Sequence, residues 1–319
     1  MKLRRLFGFL LIALLSTGIG RAMQRVEQQR FALGPGGTVR LDTYRGAIHV
    51  TARQDQGDQV EVNVRYATLE TKEVEARQAL DGLQLTMAAD QGDVVITARN
   101  PRETGLRIDL FELKRLEISF ELVVPARCNL ELVNEDGSIT VGDLSGTVKA
   151  VARTGTVFLR HIDGDVQAQT GSGNVIVSRC TGSVYLKSTR GSLQVGTVGG
   201  RARLETVDGD IEIMNALGEV MAHATNGDVS AQFAQVSGDS RLRAAVGNVT
   251  TIINPEASFA LKASSRWGKI YNDMQLAAAR GGSGRGRLSG VYGLGGPLLE
   301  IEAPGGNVRI KAGEPQFDE

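Results

Sequence analysis

The sequence predicts an all-β protein built on a parallel β-solenoid, and two observations lead to that prediction. Glycine recurs at every ninth residue through eleven positions, from Gly137 to Gly227. Each nine-residue unit reads Gly-x-apolar-x-apolar, as in Gly-Ser-Ile-Thr-Val over residues 137–141, which is a short strand that begins at a turn glycine. Self-similarity at a fixed short period is the sequence signature of a solenoid.

The chain begins with the layout of a secretory signal. Three basic residues within residues 2–5 precede an apolar run over residues 6–15, and small residues surround Arg21 at positions 20–22. The run is shorter than the roughly 20 apolar residues that a membrane-spanning helix needs. We therefore expect cleavage after Ala22, with an uncleaved anchor as the alternative, and an exported protein of the periplasm, the cell surface or the extracellular space.

The charge balance argues against a nucleic-acid partner. The full chain holds 36 basic and 36 acidic residues, and residues 1–22 contain four of the basic ones and no acidic one. The mature chain, with 32 basic and 36 acidic residues, therefore has a net charge of −4. Proteins that bind nucleic acids usually carry a clear basic surplus.

The two cysteines are expected to be separate core thiols. Cys128 and Cys180 stand 52 residues apart, which is nearly three coils if one coil has 18 residues. At about 4.8 Å per coil the separation is about 14 Å, whereas the Cα atoms of a disulfide lie within about 7 Å of each other.

Residues 23–127 are expected to form an amino-terminal, β-rich cap, which a solenoid needs to cover its open end. Two units that begin at Gly37 and Gly46 already show the nine-residue motif. One helix is predicted near residues 71–82, with Thr71 as its N-cap and Gly82 at its exit. The other strands expected here cover residues 60–66, 83–87, 94–98 and 116–124.

Residues 128–254 form the predicted shaft, in which odd and even units carry different inward sets. In the units that begin at residues 137, 155, 173, 191 and 209, the third, fifth and eighth positions are apolar. In the alternate units the third, fifth and seventh positions carry smaller side chains. The true repeat is therefore an 18-residue coil of two nine-residue units, with two short parallel strands and a corner glycine at each tight turn.

Residues 255–319 are expected to form a carboxy-terminal cap. The period decays beyond Pro255, and Trp267 is expected to cover the last coil. The glycine-rich stretch over residues 281–296, with Arg280, Arg285 and Arg287, is expected to be a flexible loop. Closing strands are predicted over residues 298–302 and 307–311.

The layout resembles the bacterial exported family of unknown function that is called "putative adhesin", a relative of autotransporter-adhesin head domains and of envelope-stress proteins of Gram-positive bacteria. The matching segments are residues 31–33, 37–41, 46–50 and 122–125, together with the glycine repeat that ends at Gly247. The resemblance implies an adhesin-like β-solenoid, and it brings no catalytic residues with it.

One outer wall of the predicted shaft collects basic and aromatic side chains in neighbouring columns. It would receive an anionic glycan or envelope polymer, or a surface protein. Asp165, Glu205 and Asp239 interrupt the wall, and mixed charge also keeps exposed sheet faces soluble, so a solvated face is the alternative interpretation. The candidate ligand-binding residues are Lys149, Tyr185, Lys187, Arg201, Arg203, Arg241 and Arg243.

No catalytic residue, metal site or cofactor is predicted. The strict spacing of the repeat leaves no insertion from which a cleft could be built, and His49, His161 and His223 are far apart in register. Asp or Asn flanks the corner glycine on both sides at three corners, but ordinary turn chemistry explains this pattern better than calcium binding.

The predicted function is non-enzymatic, adhesin-like binding or scaffolding in the envelope, with membrane contact only through an uncleaved signal segment. Two alternatives stay open. One is a carbohydrate-active β-helix enzyme whose site lies at the junction of cap and shaft or in residues 254–296. The other is a structural element that assembles end to end, because uncapped strands can pair with one another.

Overall fold

The structure, a computed structural model, describes residues 11–15, 23–53, 57–68, 84–99, 116–281 and 284–313. Every regular element in these ranges is a β-strand, so the all-β class is confirmed. The helix expected near residues 71–82, and the predicted signal segment apart from residues 11–15, lie outside the described residues. Within the described ranges, no helix is long and apolar enough to cross a membrane.

The chain forms two compact units. The first contains residues 1–146 and 150–152, and the second contains residues 147–149 and 153–319.

The first unit combines parallel and antiparallel pairing. Its strands are β1 (Leu11–Leu15), β2 (Met23–Ala32), β3 (Thr38–Thr43), β4 (Ala47–Ala52), β5 (Gln59–Thr68), β6 (Gln84–Asp90), β7 (Asp93–Arg99), β8 (Leu116–Val124), β9 (Asn129–Asp136), β10 (Ile139–Val141) and β11 (Leu144–Ser145). Parallel pairs join β3 with β7 and β9, and β4 with β8 and β10, whereas β2, β5 and β8 form an antiparallel group. Alternating side chains of these strands are buried, with Tyr66 and Phe120 among the largest.

The remaining strands begin with β12 (Val148–Thr154), whose residues are divided between the two units. The second unit contains β13 (Val157–Asp163), β14 (Val166–Ser172), β15 (Val175–Cys180), β16 (Val184–Arg190), β17 (Leu193–Val198), β18 (Ala202–Asp208), β19 (Ile211–Ala216), β20 (Val220–Asn226), β21 (Val229–Phe233), β22 (Ser240–Val246), β23 (Val249–Ile253), β24 (Phe259–Asn272), β25 (Ala277–Gly281), β26 (Gly284–Tyr292), β27 (Leu298–Glu302) and β28 (Val308–Ala312).

Two parallel walls make up most of the second unit. The first wall stacks β14, β16, β18, β20, β22 and β27, and the second wall stacks β13, β15, β17, β19, β21, β23 and β28. Val157 pairs with Val175, and Val175 pairs with Leu193, so each partner lies 18 residues further along the chain. The offset rises to 20 between β20 and β22, where Met221 pairs with Arg241. This strand arrangement is solenoid-like.

The core of the second unit is formed by side chains at alternate positions of the strands in the two walls. The side chains placed inward by the sequence pattern are buried, with Leu159 and Leu204 fully enclosed. Cys180 lies in one of these buried columns next to Ile162 and Val198. Cys128, in the first unit, is also buried, and both thiols are free, which confirms the prediction of two separate core thiols.

The expectation of a flexible loop over residues 281–296 is wrong for most of that stretch. β26 pairs antiparallel with β24, with Ala263 opposite Leu288, and β25 pairs with β26 in turn. Leu288 is buried. Composition alone favours a loop here, but β24 provides a partner for the backbone and an apolar surface for Leu288, and both stabilise a strand.

Candidate ligand-binding groove

The predicted basic wall is the outer face of the first wall, and the strand register arranges most of its residues in two columns. The Tyr185 column contains Tyr185, Arg203, Met221, Arg241 and Glu300 on successive strands. The Lys187 column, two residues further along each strand, contains Lys187, Glu205, His223, Arg243 and Glu302.

The structure brings five of the seven predicted residues into these columns. Arg201 immediately precedes β18 and is exposed. Lys149 is exposed on β12, which pairs with β14, so it stands two strands before Tyr185. Parallel strands place neighbouring side chains of one column about 4.8 Å apart, and the two columns about 7 Å apart.

A groove of about 530 Å³ lies over the part of the wall formed by β18, β20, β22 and β27. At its rim, Asp239 accepts a hydrogen bond of 2.8 Å from the backbone N–H of Leu298. Asp239 belongs to the connection in which the register offset rises to 20. The side chains that line the groove include Arg203, Glu205, Met221, His223, Asp239, Arg241, Arg243, Leu298 and Glu300.

Each arginine of the predicted site has a carboxylate partner. Arg203 contacts Glu205 at 2.6 Å, and Arg201 contacts Glu219 at 2.9 Å. The other two ion pairs are Arg241 with Glu300 and Arg243 with Glu302.

The arginines are thus held in a mixed network of donors and acceptors. The side-chain hydrogen bond to Glu205 raises the pKa of Arg203, and the hydrogen bond to Glu300 raises the pKa of Arg241. The Arg203 guanidinium also lies 5.8 Å from the centroid of the Tyr185 ring. Guanidinium donors and carboxylate acceptors therefore alternate across the groove.

Sequence reasoning missed three of the four carboxylate partners. Glu219 lies 18 residues after Arg201, so the repeat itself could have identified it. Glu300 and Glu302 lie on β27, 59 residues after their arginines and outside the regular repeat, and no local sequence signal points to them.

The Asp and Asn side chains at the corners bind groups of the next rung. A rung is one layer of the stack, made of one strand from each wall. Asp210 accepts the N–H of Asp228 at 2.8 Å, and Asp228 accepts the N–H of Asn248 at 2.7 Å. The side chain of Asn226 donates to Asp208 at 2.7 Å. Among the described residues, no group of three or more His, Cys, Asp and Glu side chains could hold a metal ion.

Trp267 does not cover the last rung, so that expectation is wrong. Its side chain is 73 % exposed, and the Arg266 guanidinium lies 5.4 Å from the ring centroid. Trp267 directly precedes Gly268, between the half of β24 that pairs with β27 and the half that pairs with β28. In this part of the described chain Met274 and Leu288 are buried instead.

Solved structures to which the chain shows a distant likeness come from three bacteria. A "putative adhesin" from Bacteroides fragilis NCTC 9343 is 11 % identical, with a TM-score of 0.42 and coverage of 89 % of this chain and 96 % of that one. A "putative lipid binding protein" from Parabacteroides distasonis ATCC 8503 is 12 % identical, with a TM-score of 0.44 and the same coverage. A "putative cell adhesion protein" from Clostridium sporogenes ATCC 15579 is 12 % identical, with a TM-score of 0.21 and coverage of 90 % and 100 %.

No curated protein matches the chain. A family model described as Toastrack DUF4097 matches residues 39–311, which is more than four fifths of the sequence. The match includes the first amino-terminal unit from Val39 onward, the whole unit that begins at Gly46, the whole glycine repeat and the predicted closing strands. The adhesin-like family resemblance of the sequence is thereby confirmed, and the chain belongs to the Toastrack DUF4097 family.

Proposed function

We propose that this protein is an exported, non-enzymatic, adhesin-like binding protein of the bacterial envelope or surface, and that the groove on the first wall is its ligand site. The observation that carries the proposal is the alternation of arginine and glutamate around Met221, which is 42 % exposed. Polar groups placed around a partly apolar depression are typical of a binding site.

The ion pairs favour a ligand rich in hydroxyl groups. Because Arg203, Arg241 and Arg243 are each neutralised by a glutamate, a polyanion would have to displace a carboxylate. A sugar hydroxyl both donates and accepts hydrogen bonds, so it can bind between a guanidinium and its carboxylate partner without breaking the ion pair. A neutral or weakly charged glycan of the envelope therefore fits the groove better than a strong polyanion.

We further infer that the 18-residue coil, made of two nine-residue units, is the structural unit that generates this surface. Outward residues 18 apart become neighbours on adjacent strands, as Tyr185 and Arg203 do. A repeating polymer could then meet a repeating protein surface. Two or more adjacent subsites would raise the apparent affinity of a polymer well above that of one sugar unit.

Binding to a glycan array and to isolated cell envelope tests the proposal, with residues 23–319 as the test protein. The test variant replaces Arg201, Arg203, Arg241 and Arg243 with Ser. The matched control replaces four exposed arginines outside the groove, Arg153, Arg160, Arg179 and Arg190, with Ser. We expect saturable binding that the control retains and the test variant loses by at least tenfold, because hydrogen bonds to charged groups contribute roughly 1.5–3 kcal/mol each.

Other results would change the assignment. Equal loss of binding in both variants would indicate a general charge effect and would remove the groove from the proposal. Release of shortened sugars during incubation would favour the carbohydrate-active enzyme. Absence of binding by the unmodified protein would favour a scaffold role with protein partners.

A further inference from the structure

A second surface of the second unit combines exposed aromatic rings with positive charge, and it lies away from the groove. The Trp267 corner is defined by Arg266, Trp267 and Lys269, together with Tyr271 on β24 and Arg309 on β28. Trp267 is 73 % exposed, and Tyr271 is 43 % exposed. Each ring has a guanidinium beside it, that of Arg266 at 5.4 Å and that of Arg309 at 5.6 Å.

The strand register makes this corner one continuous surface. Tyr271 and Arg309 are direct partners on neighbouring strands. Trp267 donates its backbone N–H to Pro304 at 3.1 Å, and Gly305 donates to Ala245 at 3.2 Å. Val246, which is 60 % exposed, therefore stands close to the same corner and extends its apolar surface.

The cations of the corner differ from those of the groove in their partners. Within the part of the chain that the structure describes, Arg266, Lys269 and Arg309 form no ion pair with a carboxylate, whereas the groove arginines are all paired. Asp273, an acidic residue that follows β24, makes no ion pair with them in the same described residues. The corner therefore presents positive charge that a ligand must balance.

We infer that the Trp267 corner docks onto an anionic lipid surface. Indole and phenol rings favour the boundary between lipid and water, because an apolar body and a polar edge suit the two sides of that boundary. Lysine and arginine beside them would bind lipid phosphates. The charge of the corner is thus complementary to an anionic headgroup layer, and two exposed aromatic rings accompany that charge.

The geometry favours lipid over an acidic sugar polymer at this corner. Trp267 is an exposed residue of β24, between the part of that strand that pairs with β27 and the part that pairs with β28, whereas small ligands bind in concave sites. The guanidinium of Arg266 also occupies one side of the indole ring, so a stacked sugar would compete with it. The sequence predicts membrane contact only through an uncleaved signal segment, whereas this docking surface lies far outside that segment, in residues 246–309.

Tryptophan fluorescence tests the inference directly, because Trp267 is the only tryptophan in the sequence. The full chain is mixed with vesicles of phosphatidylcholine, with or without phosphatidylglycerol, and with bromine-labelled acyl chains as quencher. We expect a shift of Trp267 emission to shorter wavelength and quenching by the bromolipid only when phosphatidylglycerol is present. Lipid binding through the signal segment alone would not bring the Trp267 ring into contact with the bromolipid, so its fluorescence would not be quenched.

Two charge-matched triple variants identify the surface responsible. The test variant is Arg266→Ser with Lys269→Ser and Arg309→Ser, and the control is Arg153→Ser with Arg179→Ser and Arg190→Ser, three exposed arginines outside both the corner and the groove. Each cation near an anionic membrane contributes about fivefold to partitioning, so we expect the test variant to partition about 100-fold less and the control to behave as the unmodified protein. High salt should also weaken the partitioning of the unmodified protein onto anionic vesicles, because salt screens the charges.

Three results would overturn the inference. The first is unquenched Trp267 with anionic vesicles at low salt, and the second is equal loss of partitioning in the two triple variants. The third is a change in Trp267 emission on addition of a soluble polyuronic acid when anionic vesicles cause none, because this would reassign the corner to an acidic glycan.

Discussion

Corner glycines carry some of the closest backbone contacts in the second unit. Gly173 has a φ of +143° and Gly191 a φ of +145°, a region that side-chain-bearing residues rarely adopt. A Cβ atom on Gly191 would overlap the carbonyl oxygen of Gly173, one rung earlier. Both the backbone conformation and the stacking of rungs therefore require glycine at this position.

Replacement of Gly191 with alanine should destabilise the protein strongly. Backbone strain and overpacking each cost about 1–3 kcal/mol, so we expect a loss of roughly 3 kcal/mol or more. The measurement is the urea unfolding midpoint. Gly142→Ala is the control, because a Cβ there meets no atom closer than the Val50 oxygen at 3.5 Å. Equal midpoints for the two variants would contradict the stacking argument.

Burial also changes the acidity of the two thiols. Desolvation raises the pKa of Cys180 to about 11 and that of Cys128 to about 12, from an unperturbed value of 9.0. A raised pKa means that the folded state keeps a proton that the unfolded chain releases. Stability from this source is complete below pH 9 and is lost as the pH rises through the folded-state pKa.

Unfolding free energy should therefore fall between pH 9 and pH 11. For Cys180 a difference of about two pKa units corresponds to about 3 kcal/mol. Cys180→Ala should remove this share of the pH dependence, and Cys128→Ala should remove the other share. The measurement is urea unfolding at several pH values. An unchanged slope in both variants would mean that the thiols are accessible to hydroxide in the native state.

At the scale of single elements, one side chain on each of the strands β14, β16 and β18 binds the corner of another strand. The hydroxyls of Thr170, Ser188 and Thr206 donate to the carbonyl oxygens of Gly155, Gly173 and Gly191 at 3.0–3.1 Å. These buried polar positions interrupt otherwise apolar inward columns. Their role is to supply a hydrogen-bond donor to corner carbonyls.

Thr206→Val keeps the shape of the side chain but removes the donor to Gly191. We expect a loss of about 1–2 kcal/mol in unfolding free energy, because a buried carbonyl then lacks its partner. Thr206→Ser should restore most of this loss. Thr225→Val, at a half-buried position of β20, is the control and should have little effect. A Thr206→Val protein as stable as the unmodified one would show that the hydroxyl bond is dispensable.

The corner Asp and Asn residues also link each rung to the next through hydrogen bonds. Because Asp210 and Asp228 accept backbone N–H groups of the next rung, we expect no dependence of stability on calcium. The measurement is the melting temperature with excess EDTA and with millimolar calcium chloride. A rise of several degrees in calcium would reveal a site that binds the native state, by mass action.

At the scale of the whole molecule, cleavage of the predicted signal segment would change the net charge. Residues 1–22 contain four basic residues and no acidic ones, so their removal changes the net charge from 0 to −4. A protein of negative net charge would not bind a polyanion or an anionic lipid surface through its overall charge. Any such binding requires a local cluster, such as the Trp267 corner.

We expect the exported protein to begin at Met23. Expression in a bacterium with an intact export pathway, followed by intact-mass analysis of the secreted or periplasmic fraction, measures this directly. Replacing residues 11–14 of the apolar run with charged residues should block both export and cleavage. A full-length mass in the membrane fraction would support the uncleaved anchor instead.

The amino-acid sequence by itself determined the β-strand class, the alternation of buried and exposed residues, and the separate thiols. These features follow from local properties: glycine at every ninth position marks the turns, and apolar side chains at alternate positions mark the buried faces. The buried column that contains Val157, Val175 and Leu193 could be predicted from the sequence for this reason. Most residues of the candidate groove could also be predicted from the repeat, since the repeat places Tyr185 beside Arg203.

Only the tertiary structure decided how the groove is charged and which aromatic ring is exposed. The partners of Arg241 and Arg243 come from β27, 59 residues away and outside the repeat. The strand pairing of residues 284–292 and the exposure of Trp267 depend on β24, which has no counterpart among the regular units. A periodic pattern determines contacts between equivalent positions, whereas these contacts join segments that share no period, so they form only when the folded chain brings the two surfaces together.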